Sequence, residues 1–292
     1  MADTEISFQS GEYRLIGAVG VPDGTKADEK RAAFIVLHGF GGNMKSSSLQ
    51  PVDRLLQDLG YVTLKFDRRG CGRSEGDRGY LICLEHVEDI RNAVSVLEDH
   101  PNVDASRIAI IGSSFGGALA IYAGAVDKRL KAIISSSGWG NGERKFRGQH
   151  PSPETWAKFT AMLAEGKRHR EQTGKSLMVP RFDIVPIPEH LRDHLKKGNS
   201  LEMFAAETAQ SMYDFKAEEV IAQIAPRPVL LMHASNDSVT PTEQSVEMFK
   251  RAGQPCDLHL FAEADHFMLG TGNPRIEGVL KDWLAKYFPV RA

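Results

Sequence analysis

Paired cysteines, charge of one dominant sign and long apolar runs are all missing from this chain, and each absence removes a class of function. Its three cysteines, Cys71, Cys83 and Cys256, are widely spaced and odd in number. No zinc or redox spacing occurs among them and no disulfide framework is implied. Lys and Arg number 36 against 38 Asp and Glu, a formal charge of −2, so no overall field recruits nucleic acid or an anionic membrane. No uninterrupted apolar stretch approaches the length that spans a bilayer. The first residues, Met1-Ala2-Asp3-Thr4-Glu5, are acidic and lack the basic and apolar regions of a secretory leader. The expectation is a soluble, cytoplasmic protein acting on a small-molecule substrate, without nucleic-acid or membrane partners and with a homo-oligomer still open. No metal or cofactor is called for. At 292 residues the chain can form one domain with an accessory layer.

Strand-like segments alternate with helical ones. The strands fall near Tyr13 to Val21, Ala33 to His38, Gly60 to Phe66, Arg107 to Ser113, Leu130 to Ser136, Pro228 to His233 and Asp257 to Phe261. Helical stretches fall near Ser48 to Leu59, Leu84 to Glu98, Phe115 to Ala125, Thr242 to Arg251 and Pro274 to Tyr287. This alternation predicts an α/β fold with a mostly parallel sheet covered on both faces, and the hairpin-like start adds antiparallel edge strands. Between Gly138 and about Ile224 the alternation stops, and helices are expected near Ser152 to Glu171, Pro188 to Lys197 and Ser200 to Tyr213. That stretch is too long for a bare connection. The expected division is a core of residues 1–138 and 225–292 with a helical cap insertion over 139–224.

The most informative segment is Ile108-Ala109-Ile110-Ile111-Gly112-Ser113-Ser114-Phe115-Gly116, a Gly-x-Ser-x-Gly between an apolar strand and a small-residue helix. The bare pattern arises by chance in about one chain in ten of this length, so its context must decide. Here the buried run feeds straight into it, which is the sequence of a nucleophile elbow with Ser114 at the bend. Ser113 is out of register, because Ile111 rather than glycine lies two positions before it.

A serine hydroxyl needs a base, and the base needs a carboxylate. His266 lies in a loop after the strand ending at Phe261, and Asp237 in a loop after the strand ending near His233. Both loops belong to carboxyl ends of strands, where ligand-facing residues of open α/β sheets gather. A loop histidine satisfied by local hydrogen bonds and an Asx-turn aspartate before Pro241 are the competing readings. Asp265 would have to fold back on its own neighbour, and Glu263 stays open as an alternative acid.

The order Ser114, Asp237, His266 is that of α/β-hydrolases. The chain resembles this superfamily along nearly its whole length, through His38-Gly39-Phe40-Gly41-Gly42, Asp67-Arg68-Arg69-Gly70-Cys71-Gly72-Arg73-Ser74, the elbow, the Asp237 loop and Asp265-His266. Its arrangement is similar to carboxylesterases of the cinnamoyl and feruloyl esterase type. The resemblance implies a Ser-His-Asp triad and an oxyanion hole formed by the backbone N–H groups of Phe40 and Phe115. It implies for His38 and Asp67 the work of holding loops.

Among the apolar residues of the insertion and its surroundings, Trp139, Phe182, Met212 and Phe267 are candidates for lining an apolar, aromatic-tolerant site. Most such residues must instead pack the cap on the core. His233 is read as either pocket-lining or packed in the core. Cys71 is left out of the site, since no histidine pairing is suggested. The run Lys167-Arg168-His169-Arg170 reads as a solvated helix face, with anion capture as the alternative.

The expected function is hydrolysis of a carboxylic ester with an apolar or aromatic moiety through an acyl-enzyme on Ser114. The same triad could act on a C–C bond of a diketone or dienoate, a thioester or a peptide bond, or in acyl transfer, because fold and triad do not discriminate among them. A ligand-binding receptor on the same fold is the non-enzymatic reading.

Overall fold

A computed structural model describes residues 3–196 and 200–290. The chain begins with strands β1 (Thr4–Ser10), β2 (Tyr13–Gly20) and β3 (Arg31–Leu37), followed by helix α1 (Gln50–Asp58) and β4 (Val62–Phe66). Next come α2 (Cys83–Glu98), β5 (Val103–Ser113), α3 (Phe115–Val126) and β6 (Leu130–Ser136). A segment of α4 (Gly142–Gln149), α5 (Pro153–Thr173), β7 (Met178–Pro180), α6 (Arg181–Ile184), α7 (Asp193–Lys196), β8 (Met203–Ala205) and α8 (Ala206–Asp214) then intervenes. It is followed by β9 (Val229–Ala234), α9 (Glu243–Arg251), β10 (Cys256–Phe261) and α10 (Pro274–Tyr287).

Eight strands form one sheet in the order β1-β2-β4-β3-β5-β6-β9-β10. Pairing is antiparallel at β1–β2 and β2–β4 and parallel from β4 to β10. The strand run at the centre shows why it is buried on both sides. Side chains alternate across a strand, and in β5 Ile108 and Ile110 join the apolar layer beneath α2 and α3 while Ala109 and Ile111 join the one beneath α1 and α10. All four are inaccessible to solvent, as the continuous apolar run of a parallel interior strand requires.

Two expectations for the insertion are corrected. The helix expected from Ser200 to Tyr213 starts at Ala206, because Met203-Phe204-Ala205 pairs antiparallel with Met178–Pro180 as β8 and β7. The helix expected from Pro188 to Lys197 is a single 3-10 turn, Glu189–Leu191, followed by the short α7, and Lys197 lies outside the described residues. An additional helix, α4, begins where the Asn141 side chain accepts from the Arg144 N–H, a local cap that ends the extended chain after β6. Trp139, Phe146, Phe159, Phe204 and Met212 belong to the same apolar body as α2 and α3. Among the described residues the insertion therefore has no separate core.

Candidate active site

Ser114 stands between β5 and α3 with φ +57° and ψ −119°. A non-glycine residue in such backbone geometry costs about 1–3 kcal/mol and persists only where neighbours over-determine it. They do so here. The Ser114 N–H donates to the Ser136 carbonyl at 2.8 Å, and its own carbonyl accepts from Gly117 and Ala118 at 2.9 and 3.1 Å. The glycines on either side make the bend sterically feasible: a Cβ on Gly112 would lie 2.1 Å from the Gly116 carbonyl oxygen, and one on Gly116 would lie 2.7 Å from that of His38.

The loop after β10 places His266 Nε2 2.9 Å from Ser114 Oγ. On the other side of the ring, Nδ1 lies 3.0 and 2.9 Å from Asp237 Oδ1 and Oδ2. The imidazole is 2 % exposed, so the chain of contacts is sheltered from water. With a carboxylate at Nδ1, that nitrogen carries the proton and Nε2 is left to accept from the serine hydroxyl. This is the arrangement in which an imidazole takes a proton as the oxygen attacks.

Asp237 is held by more than His266. Its Oδ1 accepts the N–H groups of Val239 and Thr240 at 2.8 and 2.7 Å. Its Oδ2 faces His233 Nε2 at 3.3 Å. Burial alone would raise the carboxyl, but the neighbouring His266, together with hydrogen bonds from His233 and His266, outweighs it and holds the group well below the usual carboxylate range. His233 is itself fixed: Nε2 meets the Thr240 carbonyl at 3.0 Å and Nδ1 meets Ser245 Oγ at 2.7 Å. A carbonyl can only accept, so Nε2 bears the proton and donates. His233 thus lies buried beneath the acid, away from the cleft.

Asp265 has a different task. Its carboxylate accepts from the Ser238 N–H at 2.9 Å and from the His266 N–H at 2.7 Å, tying the acid loop to the base loop. Glu263 is exposed. The two proposed oxyanion donors flank the serine. The Phe115 N–H opens α3, where helical N–H groups lack intrahelical partners, and Gly39 and Phe40 line the cleft beside Ser114. Among the described residues no acceptor takes either N–H.

The four residues expected to shape the substrate site part company. Phe267 lines the cleft with Val185, Ile187, Leu195 and Val239. Trp139 does not; its ring stacks on that of Phe115 at 5.5 Å and 7°, behind the elbow, and is 1 % exposed. Met212 is equally buried, in α8, where its carbonyl closes against Gly142. Phe182 faces an outer groove with the Arg192 guanidinium 4.1 Å over its ring. The cause is the β7–β8 ribbon, which delivers the chain so that Arg181 turns inward and Phe182 outward. Arg181 and the His233 support were not anticipated as site features, and nothing in the local sequence around Arg181 signals a cleft.

Other sequence candidates fall outside the cleft. Asp67 accepts the Met44 and Arg73 N–H groups at 2.7 and 2.8 Å, holding loops. His38 is buried against Arg68 Nη2 at 3.0 Å. Burial pushes the Cys71 thiol up to about 12, far from a reactive thiolate. Lys167, Arg168 and Arg170 are exposed on α5, with Arg168 paired to Glu165. Among the described residues no cluster of His, Cys, Asp and Glu could hold a metal ion, and no helix is long and apolar enough to cross a membrane.

Residues 28–271, which carry the elbow serine and the imidazole within bonding distance of it, match a family model, serine aminopeptidase S33 (Hydrolase_4). The chain belongs to that family. As a Hydrolase_4 protein it has the α/β-hydrolase fold. It is 29 % identical over 274 residues to an uncharacterized 31.7 kDa protein of the Escherichia coli traX-finO intergenic region, covering 91 % of this chain and 94 % of that one. It is 26 % identical over 267 residues to thiohydrolase aneE of Aspergillus aculeatus, covering 85 % and 82 %. Among solved structures, the α/β hydrolase GrgF from Penicillium sp. sh18 superimposes with a TM-score of 0.80 at 20 % identity, covering 98 % of this chain and 97 % of that one. Est1E of Butyrivibrio proteoclasticus with ferulic acid bound superimposes with a TM-score of 0.69 at 18 % identity, covering 97 % and 98 %. These structural likenesses establish the α/β-hydrolase fold.

Proposed function

We propose that this Hydrolase_4 protein is a serine hydrolase that cleaves a carboxylic ester with an apolar or aromatic moiety through an acyl-enzyme on Ser114. The observation that carries the reading is the continuous path Asp237–His266–Ser114, every link at 2.9–3.0 Å. His266 takes the Ser114 proton as Oγ bonds to the acyl carbon. The oxyanion is received by the N–H groups of Phe40 and Phe115, each such donor contributing about 3 kcal/mol. His266 then protonates the departing alcohol and activates the water that releases the acid.

The apolar half of the cleft, from Val185, Ile187 and Phe267, supports an apolar substrate moiety. An aminopeptidase would need an acceptor for a peptide's ammonium group. The ionisable residues lining the cleft are Arg181 and His266, and a guanidinium repels an ammonium, which favours esters over peptides. Thioester hydrolysis or acyl transfer is the second reading, favoured by relatives named thiohydrolase aneE and polyketide transferase grgF.

An organophosphonate should label one serine in the native chain and none in Ser114→Ala. Turnover of p-nitrophenyl acyl esters of increasing length then reads the ester activity. Equal labelling of the variant, or no turnover of any ester alongside turnover of acyl thioesters, would respectively refute the nucleophile or favour the second reading.

A further inference from the structure

We infer that the cleft selects substrates carrying a carboxylate near the ester carbonyl, received by Arg181. The inference rests on the esterase reading above and names a substrate class for it.

Arg181 opens α6 in the insertion, is 5 % exposed and lines the cleft that holds Ser114 and His266. A buried guanidinium is ordinarily matched by an acid, because taking a charge out of water is costly unless it is paired and hydrogen-bonded. This one has no acid beside it and instead lies 5.0 and 5.7 Å from the ring centroids of Phe40 and Phe204. Among the described residues no carboxylate lies within 4 Å of it; the nearby Asp183 is engaged by Lys158 at 2.9 Å instead. Of the five N–H donors of a guanidinium, the hydrogen bonds use two, on the neutral carbonyls of Leu201 and Phe40. Nε has no partner at all. Burial lowers the group to about 10, which leaves it a cation at neutral pH. The other buried arginine of this region, Arg68, uses only Nη2, on His38 and Gly39, and also leaves donors unpartnered, but it lies over the Phe115 ring behind the elbow and does not line the cleft. The cleft wall therefore presents a cation with aromatic and carbonyl neighbours but no carboxylate partner, and with unused planar donors, the geometry that best receives a carboxylate.

Its position fixes the reach. Arg181 Nη2 is bonded to the carbonyl of Phe40, the residue whose N–H is the proposed oxyanion donor. A carboxylate on Arg181 is thus joined to the carbonyl under attack by a short chain. Short dicarboxylic half-esters meet that requirement, with the apolar alcohol part left to Val185, Ile187 and Phe267.

The competing role is mechanical. Arg181 also braces the oxyanion loop from the insertion, together with the Phe204 ring stacked on Phe40 at 4.2 Å and the Leu201 N–H on the Gly41 carbonyl at 2.9 Å. A brace affects every substrate alike, whereas a receptor affects only anionic ones. The test uses a ratio for that reason. Release of benzyl alcohol from monobenzyl succinate and from its neutral analogue benzyl methyl succinate gives two kcat/KM values for each protein.

The native chain should prefer the anionic ester by about tenfold, the worth of one charge-assisted hydrogen bond. Arg181→Met should abolish the preference, Arg181→Lys should keep most of it, and Phe204→Leu should slow both esters while leaving the ratio unchanged. A native ratio at or below one, or a ratio unchanged in Arg181→Met, overturns the inference. Benzyl methyl succinate and the phosphonate label still report on Ser114 in that event, so failure of the carboxylate receptor is distinguishable from failure of the esterase reading.

Discussion

Replacing Asp237 by asparagine tests the whole proton path with a change of almost no volume. The structure dictates how the amide must sit. Oδ1 accepts two backbone N–H groups at 2.8 and 2.7 Å, so the asparagine carbonyl must take that place. The flipped amide would face donors with donors, at about 1–3 kcal/mol for each group left unsatisfied. The NH2 is then directed at His266 Nδ1, which Oδ2 meets at 2.9 Å in the native chain. Oδ1 also lies 3.0 Å from Nδ1 but already takes two backbone N–H groups, so Nδ1 accepts from the nearer NH2, the ring proton moves to Nε2, and Nε2 now points a hydrogen at Ser114 Oγ and cannot act as a base. His233, whose Nε2–H already donates to the Thr240 carbonyl, cannot absorb the extra donor. The expected result is a fall in kcat of about 10⁴, or about 5.4 kcal/mol in barrier height, with KM little changed because the acid does not line the cleft. Pre-steady-state acylation with a p-nitrophenyl ester measures it, beside a thermal melt. Activity within tenfold of native in a folded variant would refute the argument, since the imidazole would then be oriented by something other than this carboxylate.

Stability should fall on the acid side, because burial first and the Arg68 guanidinium second hold His38 and His86 well below 6.5 in the fold. Below that pH the unfolded chain binds protons that the folded chain refuses, so stability rises with pH up to about 7; each ring accounts for about 1.4 kcal/mol between pH 7.5 and 5.5, read from denaturant midpoints at the two pH values. Lys145 is buried with its Nζ 4.7 and 3.8 Å from the Trp139 and Phe146 ring centroids and bonded to Gln149, and burial lowers it well below 10.5. Lys145→Met should therefore raise the melting temperature at neutral pH, and its advantage should shrink as pH climbs toward 10.5 and the unfolded lysine loses its proton too; an advantage independent of pH would contradict this. Gly41→Ala should cost about 1–3 kcal/mol of stability for a side chain at φ +59° and depress kcat further, because the new Cβ would lie 2.4 Å from the Phe204 ring and displace the oxyanion loop; parallel melts and ester assays separate the two effects.

What could be read in the sequence clusters where local chemistry determines local shape. The four branched or small apolar residues before Gly112 specify an interior strand, and the glycines around Ser114 specify the only bend that exposes its hydroxyl. The loops bearing Asp237 and His266 follow strands in the same way. The insertion was less legible because its elements are decided by contacts far apart in the chain. Met203-Phe204-Ala205 looks helical by composition, yet pairing with Met178–Pro180 and stacking of Phe204 on Phe40 override that propensity. The same ribbon sends Arg181 inward and Phe182 outward, an alternation that becomes readable only once the pairing is known. The support of Asp237 by His233 was hidden for another reason. A histidine closing a buried strand looks alike whether it packs silently or steadies an acid four residues on.

The common apolar body shared by the insertion and the elbow helix bears on how this protein can be altered. Phe115 of the elbow helix is roofed by Trp139, and Phe40 by Phe204, so a shortened variant with the intervening segment trimmed away would leave the machinery's own scaffold greasy and uncovered. Exchanging that segment for one from a relative must carry those roofing rings across as well. The part that shapes what enters and the part that performs the reaction are therefore inherited as a single mechanical piece.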